Sequence, residues 1–150
     1  MKRILLILIS AAVMLGISGC RTYENELLTS SKADFVALVE FARAYYDQHK
    51  SEGQDHITMD FYKDGLRDLS GDTMIENVPD KVMESAEVVG SEFDCLWVND
   101  LCVIFWEDET KYYGLLWSET PKEAIASVKE WYSDVRYHKL EDNWYEIGAL

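Results

Sequence analysis

Apolar and polar positions follow three different rhythms along this chain. From Ile4 to Met14 nearly every position is apolar, after the short basic start of Lys2 and Arg3, and the run gives way to small residues at Gly16, Ser18 and Gly19. A membrane span needs about 20 apolar residues, so this run is too short for a comfortable crossing. Beyond it the period changes to that of an amphipathic helix: Phe35, Leu38, Val39, Ala42, Tyr45 and Tyr46 share one face. Ser31 and Asp34 supply a capping signal at its start, and His49, Lys50 and Gly53 close it. Residues 20–30 show no apolar period and are expected to form a tether.

Ile57, Met59 and Phe61 alternate with Thr58, Asp60 and Tyr62, the two-residue period of a strand, and Asp64-Gly65 marks a turn. A second helix opens at Asn77-Val78-Pro79, turns Val82, Met83, Ala86 and Val89 inward, and stops at Gly90. Three strands follow over 93–98, 101–106 and 111–118. Thr120-Pro121-Lys122-Glu123 starts a third helix with Ala124, Ile125, Val128, Trp131 and Tyr132 on its apolar stripe. The chain finishes with a hairpin around Glu141-Asp142-Asn143. These elements predict an α+β fold, an antiparallel sheet of about five strands with about three helices packed mainly on one face.

Register sorts the central strands into two unlike surfaces. With Asn99-Asp100 as a two-residue turn, Val98 lies opposite Leu101 and Trp97 opposite Cys102. With residues 107–110 as the next loop, Trp106 lies opposite Lys111 and Ile104 opposite Tyr113. Side chains alternate between faces, so Leu96, Val98, Leu101, Val103, Phe105, Gly114 and Leu116 share an aliphatic face. The opposite face then carries Phe93, Cys95, Trp97, Cys102, Ile104, Trp106, Tyr113, Leu115 and Trp117. Helices covering only the aliphatic face would leave Trp97, Trp106, Tyr113 and Trp117 as a candidate binding face for an envelope protein, a glycan or a second copy. The alternative is an ordinary core in which the first helix covers them. In the same register Cys95 and Cys102 are diagonal neighbours about 7–8 Å apart, too far for a disulfide, and both are expected to stay reduced.

Charge removes some partners. The net charge is −14 at pH 7, and loss of Lys2 and Arg3 with a leader would make it more negative. Such a surface repels nucleic acid and anionic lipid headgroups. Asp60, Asp64, Asp68 and Asp72 recur every four residues but lack the spacing of a calcium loop, and are expected to be solvated turn acids. No nucleophile elbow, phosphate-cradling glycine loop or zinc-binding helix occurs. His49, His56 and His138 are far apart, a Cys–His dyad of Cys95 or Cys102 with His138 has no supporting motif, and nothing calls for a cofactor or metal.

Where the leader ends, Ile17-Ser18-Gly19-Cys20 resembles the lipobox of bacterial lipoproteins. The resemblance covers residues 1–20 alone. It implies transfer of a diacylglyceryl group to the Cys20 thiol, cleavage before that residue and acylation of the new amino terminus. On that basis residues 1–19 form a signal peptide, 20–30 the lipidated cysteine and tether, and 31–150 a single domain on the extracytoplasmic side of the bacterial cell membrane. The expected role is a non-enzymatic binding module, and the alternative is a small hydrolase acting on envelope polymers.

Overall fold

A computed structural model describes the backbone of residues 2–107 and 113–149 and the side chains of residues 26–107 and 113–148. Helix α1 runs over Lys2–His49 and is interrupted once, at Ser31, whose backbone is non-helical (φ −121°, ψ 21°). The chain divides there into two compact units, 1–30 and 31–150. In the first unit the helix continues through the stretch expected to be a tether. Residues 21–30 contain no Gly or Pro, and Glu24, Glu26, Leu27 and Leu28 are good helix formers. Local propensity therefore continues a helix that apolar periodicity did not signal. None of the described helices is long and apolar enough to cross a membrane.

In the second unit the end of α1 is followed by β1 (Ile57–Tyr62), β2 (Gly65–Asp68), β3 (Thr73–Met74), α2 (Asp80–Val89), β4 (Cys95–Val98) and β5 (Val103–Trp106). Then come β6 (Tyr113–Trp117), α3 (Pro121–Trp131), β7 (Val135–Glu141) and β8 (Trp144–Ala149). The fold is α+β. Its single antiparallel sheet has eight strands, in the order β3-β2-β1-β4-β5-β6-β8-β7, rather than the expected five or so. β2 and β3 escaped notice because they are short and carry Gly, Asp and Arg, residues that seldom signal a strand. The turn before β2 is Lys63-Asp64, which sets Tyr62 opposite Gly65. Gly65 has φ +144°, a conformation open to glycine.

Helices lie on both faces of the sheet. The first face carries Ile57, Met59, Phe61, Leu96, Val98, Val103, Phe105, Leu115, Trp117 and Trp144. α1 reaches it through Phe35, whose ring meets Phe93, Phe105 and Trp144 edge-on at 5.7, 5.1 and 5.7 Å. α2 lies on the same side, close enough that a Cβ at Gly90 would fall 2.8 Å from Phe61. A hydrogen bond from the Ser85 hydroxyl to Asp34 ties α2 to α1 at 2.9 Å. α3 covers the second face, where Ala124 and Val128 pack with Trp97, Ile104, Trp106, Leu116 and Ile147. Two of the three helices, α1 and α2, thus lie on the first face, and α3 covers part of the second.

Two loops set the central register differently from the sequence reading. The Asn99 carboxamide oxygen accepts hydrogen bonds from the Leu101 and Cys102 amides, both at 2.8 Å, and builds a four-residue turn. Val98 therefore pairs with Val103, a slip of two that leaves the paired residues of β4 and β5 on their expected faces. Phe93 and Leu101, just outside the strands, depart from expectation: Phe93 packs on the first face against Phe35 and Phe105, and Leu101 against the second-face cluster. The loop after β5 is longer than expected, so Trp106 pairs with Gly114 and Ile104 with Leu116. That slip of three is odd, and an odd slip turns a whole strand over. Tyr113, Leu115 and Trp117 consequently lie on the first face and Gly114 on the second.

Candidate functional site

The four residues expected to share a binding face are separated by this reversal. Trp97 and Trp106 are buried on the second face beneath α3. Tyr113 and Trp117 belong to the first face, with Tyr113 half-exposed. The Arg43 guanidinium sits 5.1 Å from the centre of the Trp117 ring and lies 3.7 Å from Glu119. The indole pair is core, and Tyr113 and Trp117 stand at opposite ends of β6 on the other face. α3, not the first helix, does the covering.

α3 covers only part of the second face. Its last residue, Trp131, is half-exposed and meets Trp97 at 6.1 Å and His56 at 5.7 Å between ring centres. Past that edge the face continues over β1, β2 and the start of β4 without a helix. There it forms an open groove of about 540 Å³ lined by Thr58, Asp60, Tyr62, Leu69, Asp94 and Cys95. Thr58 and Cys95 are buried at its floor, while Tyr62 and Leu69 are exposed. The Arg67 guanidinium donates to the Tyr62 hydroxyl at 3.1 Å and pairs with Asp72. The strand alternation Thr58, Asp60, Tyr62 was readable in sequence. That its face lacks a helix was not, because coverage depends on where α3 stops.

The regularly spaced acids have unlike roles. Asp68 is not a solvated turn acid. It is buried, accepts a hydrogen bond from the Tyr45 hydroxyl at 3.0 Å and another from the Ser70 amide at 2.8 Å. Desolvation, reinforced by that bond to Asp68, pushes the Tyr45 hydroxyl up to about 12.

The side chains with catalytic potential are dispersed. His49 stacks on Tyr45 with ring centres 4.0 Å apart, and His56 Nδ1 lies 2.8 Å from Asp55. His138 lies on β7, four strand positions from β4 and its Cys95, or about 19 Å across the sheet. Cys95 and Cys102 are buried and not joined in a disulfide. Cys95 pairs with Trp106, four residues beyond Cys102 along β5, which separates the thiols by about 13 Å. Burial pushes the Cys102 thiol up to about 12, only partly opposed by its hydrogen bond to Asn99. Such a thiol is a small core hydrophobe rather than a nucleophile. Among the described residues no three His, Cys, Asp or Glu side chains converge to hold a metal ion. Cys20 lies within the helical backbone of α1, and its side chain is outside the described set. No known protein family, curated protein or solved structure matches the chain.

Proposed function

We propose that this protein is a lipid-anchored binding module of the bacterial cell envelope, held through Cys20 on the extracytoplasmic side of the membrane. The observation that carries this reading is the placement of Ile17-Ser18-Gly19-Cys20 where a basic start and an apolar run end. Each buried acyl CH₂ contributes about 0.8 kcal/mol, so one chain binds reversibly while a diacylglyceryl group with a further acyl chain anchors firmly. The acidic surface is repelled by anionic headgroups, which leaves the lipid as the attachment. Among the described residues there is an open groove and no nucleophile aligned with a base, and this favours binding over hydrolysis.

The anchor is tested by feeding cells a clickable fatty acid. Wild-type protein is expected to carry label, and Cys20→Ala is expected to lose it and accumulate as uncleaved precursor. Label retained on the alanine variant, or missing from the wild type, overturns the reading.

A further inference from the structure

Two exposed aromatic rings stand at the ends of the uncovered part of the second face, and each is braced by polar partners. At one end Trp131, the most exposed of the five tryptophans, meets Trp97 and His56 edge-on, and His56 is held by Asp55 at 2.8 Å. At the other end the Arg67 guanidinium lies 5.5 Å from the centre of the exposed Tyr62 ring, donates to its hydroxyl and pairs with Asp72. Thr58 and Asp60 share this face of β1 between the two rings, and Asp94 stands at the margin. Six residue steps separate His56 from Tyr62, about 20 Å at the rise of a strand. The groove of about 540 Å³ over this stretch has the volume of a small-ligand site.

A charged ligand is not called for, because Asp72 pairs with Arg67 and Asp60 is engaged within the fold. The rings ask for flat apolar surface at either end. The side chains between them ask for hydroxyls or amides, since a carboxylate already holding one partner has lone pairs left to accept others. A pyranose supplies both, a C–H face that stacks on an indole or phenol and hydroxyls around its rim. We infer that this groove binds a neutral oligosaccharide, one sugar stacked on Trp131 and another on Tyr62, with hydroxyls of the units between them bonded to Thr58 and Asp60. An anionic polymer is opposed by the net charge of −14. A protein partner would need a contiguous apolar patch. Here Trp131 and Tyr62 are set apart by Thr58 and Asp60, and Leu69 adds one aliphatic side chain. Because both rings are braced before any ligand arrives, little side-chain freedom is lost on binding. The inference names the ligand class of the binding-module reading and rests on it, while the lipid anchor is tested separately.

The experiment uses the full chain purified in a polyoxyethylene detergent, which carries no sugar headgroup. The probes are the neutral tetrasaccharides chitotetraose and cellotetraose, with the anionic tetragalacturonate as control. Tryptophan fluorescence is expected to change saturably with at least one neutral probe and not with tetragalacturonate, and acrylamide quenching to fall as Trp131 is shielded. Titration calorimetry, which needs no indole reporter, reads the variants. Trp131→Ala is expected to weaken binding at least tenfold and Tyr62→Ala at least fivefold, while Trp131→Phe, which keeps a ring, recovers most of the loss. Tyr137→Ala, at an equally exposed position on β7, is expected to change it less than twofold. Raising NaCl from 10 mM to 0.15 M is also expected to change it less than twofold. Absence of binding to either neutral probe, by protein whose melting is cooperative, overturns the inference. So does equal weakening by Tyr137→Ala, an affinity that falls steeply with salt, or self-association in sedimentation that Tyr62→Ala abolishes. Fatty-acid labelling at Cys20 is independent of these substitutions, so missing saccharide binding with label intact overturns the groove and leaves the anchor standing.

Discussion

Tyr45 shows how one residue's chemistry depends on a contact that periodicity cannot reveal. The helical stripe places it toward the sheet, but its partner Asp68 lies 23 positions away on a strand too short to anticipate. The bond satisfies a buried carboxylate, and desolvation together with that bond holds the Tyr45 hydroxyl up to about 12, against an ordinary value of 10.0. A group raised on folding contributes stability that is complete below its unfolded value. That contribution is lost as pH climbs through 10 toward 12. Tyr45→Phe is therefore expected to cost about 1–2 kcal/mol at pH 8, by leaving Asp68 without its hydroxyl donor. Between pH 10 and pH 12 the variant should lose less stability than the wild type, so the two urea midpoints converge. Parallel midpoints over that range would show that the Tyr45 hydroxyl is not selectively held neutral by the fold.

At the scale of elements, the decisive detail is the parity of the loop joining β5 to β6. A four-residue loop would place Tyr113 and Trp117 beside Trp106, whereas the observed register puts Gly114 there. The glycine is required by that register. A Cβ at position 114 would fall 2.1 Å from the Phe105 carbonyl oxygen and 3.2 Å from the Trp106 ring. Gly114→Ala is expected to cost about 1–3 kcal/mol through overpacking, while Tyr113→Ala, at a half-exposed position, should stay within about 0.5 kcal/mol. Chemical denaturation distinguishes them, and equal small losses would contradict the register. Helix positions were legible because each stripe repeats several times, as in Val82, Ala86 and Val89 or Ala124, Ile125 and Val128. The order of β4 and β5 was legible too, since their slip was even. The candidate face was not, because β6 alternates two apolar sets, Gly114 with Leu116 against Leu115 with Trp117, and either can face inward. Nothing in such a strand states which face is which until the loop length is known.

For the whole molecule, the excess of acid over base sets a cost that no single contact offsets. The chain has 28 Asp and Glu against 14 Lys and Arg. The ion pairs Lys32–Glu141, Arg43–Glu119 and Lys50–Asp100 each have at least one exposed partner. Exposed pairs contribute about 0–1 kcal/mol each, whereas like-charge repulsion acts across the entire surface and opposes the compact state. Both effects are screened by salt, so the sign of the salt response reveals which is larger. Raising NaCl from 10 mM to 0.15 M shortens the screening length from about 30 Å to about 8 Å. Over this range the long-range repulsion fades first, while pairs in contact are screened less. We expect the melting temperature of the 31–150 fragment at pH 7 to rise by about 2–5 °C, the shift that corresponds to about 1 kcal/mol in a domain of this size. The rise should fade as pH falls toward about 4.5, the isoelectric point of the whole chain, because protonation removes the excess negative charge. A melting temperature that falls with salt at pH 7 would mean that the surface pairs outweigh the repulsion. The contacts between opposite charges would then govern the electrostatics of the fold.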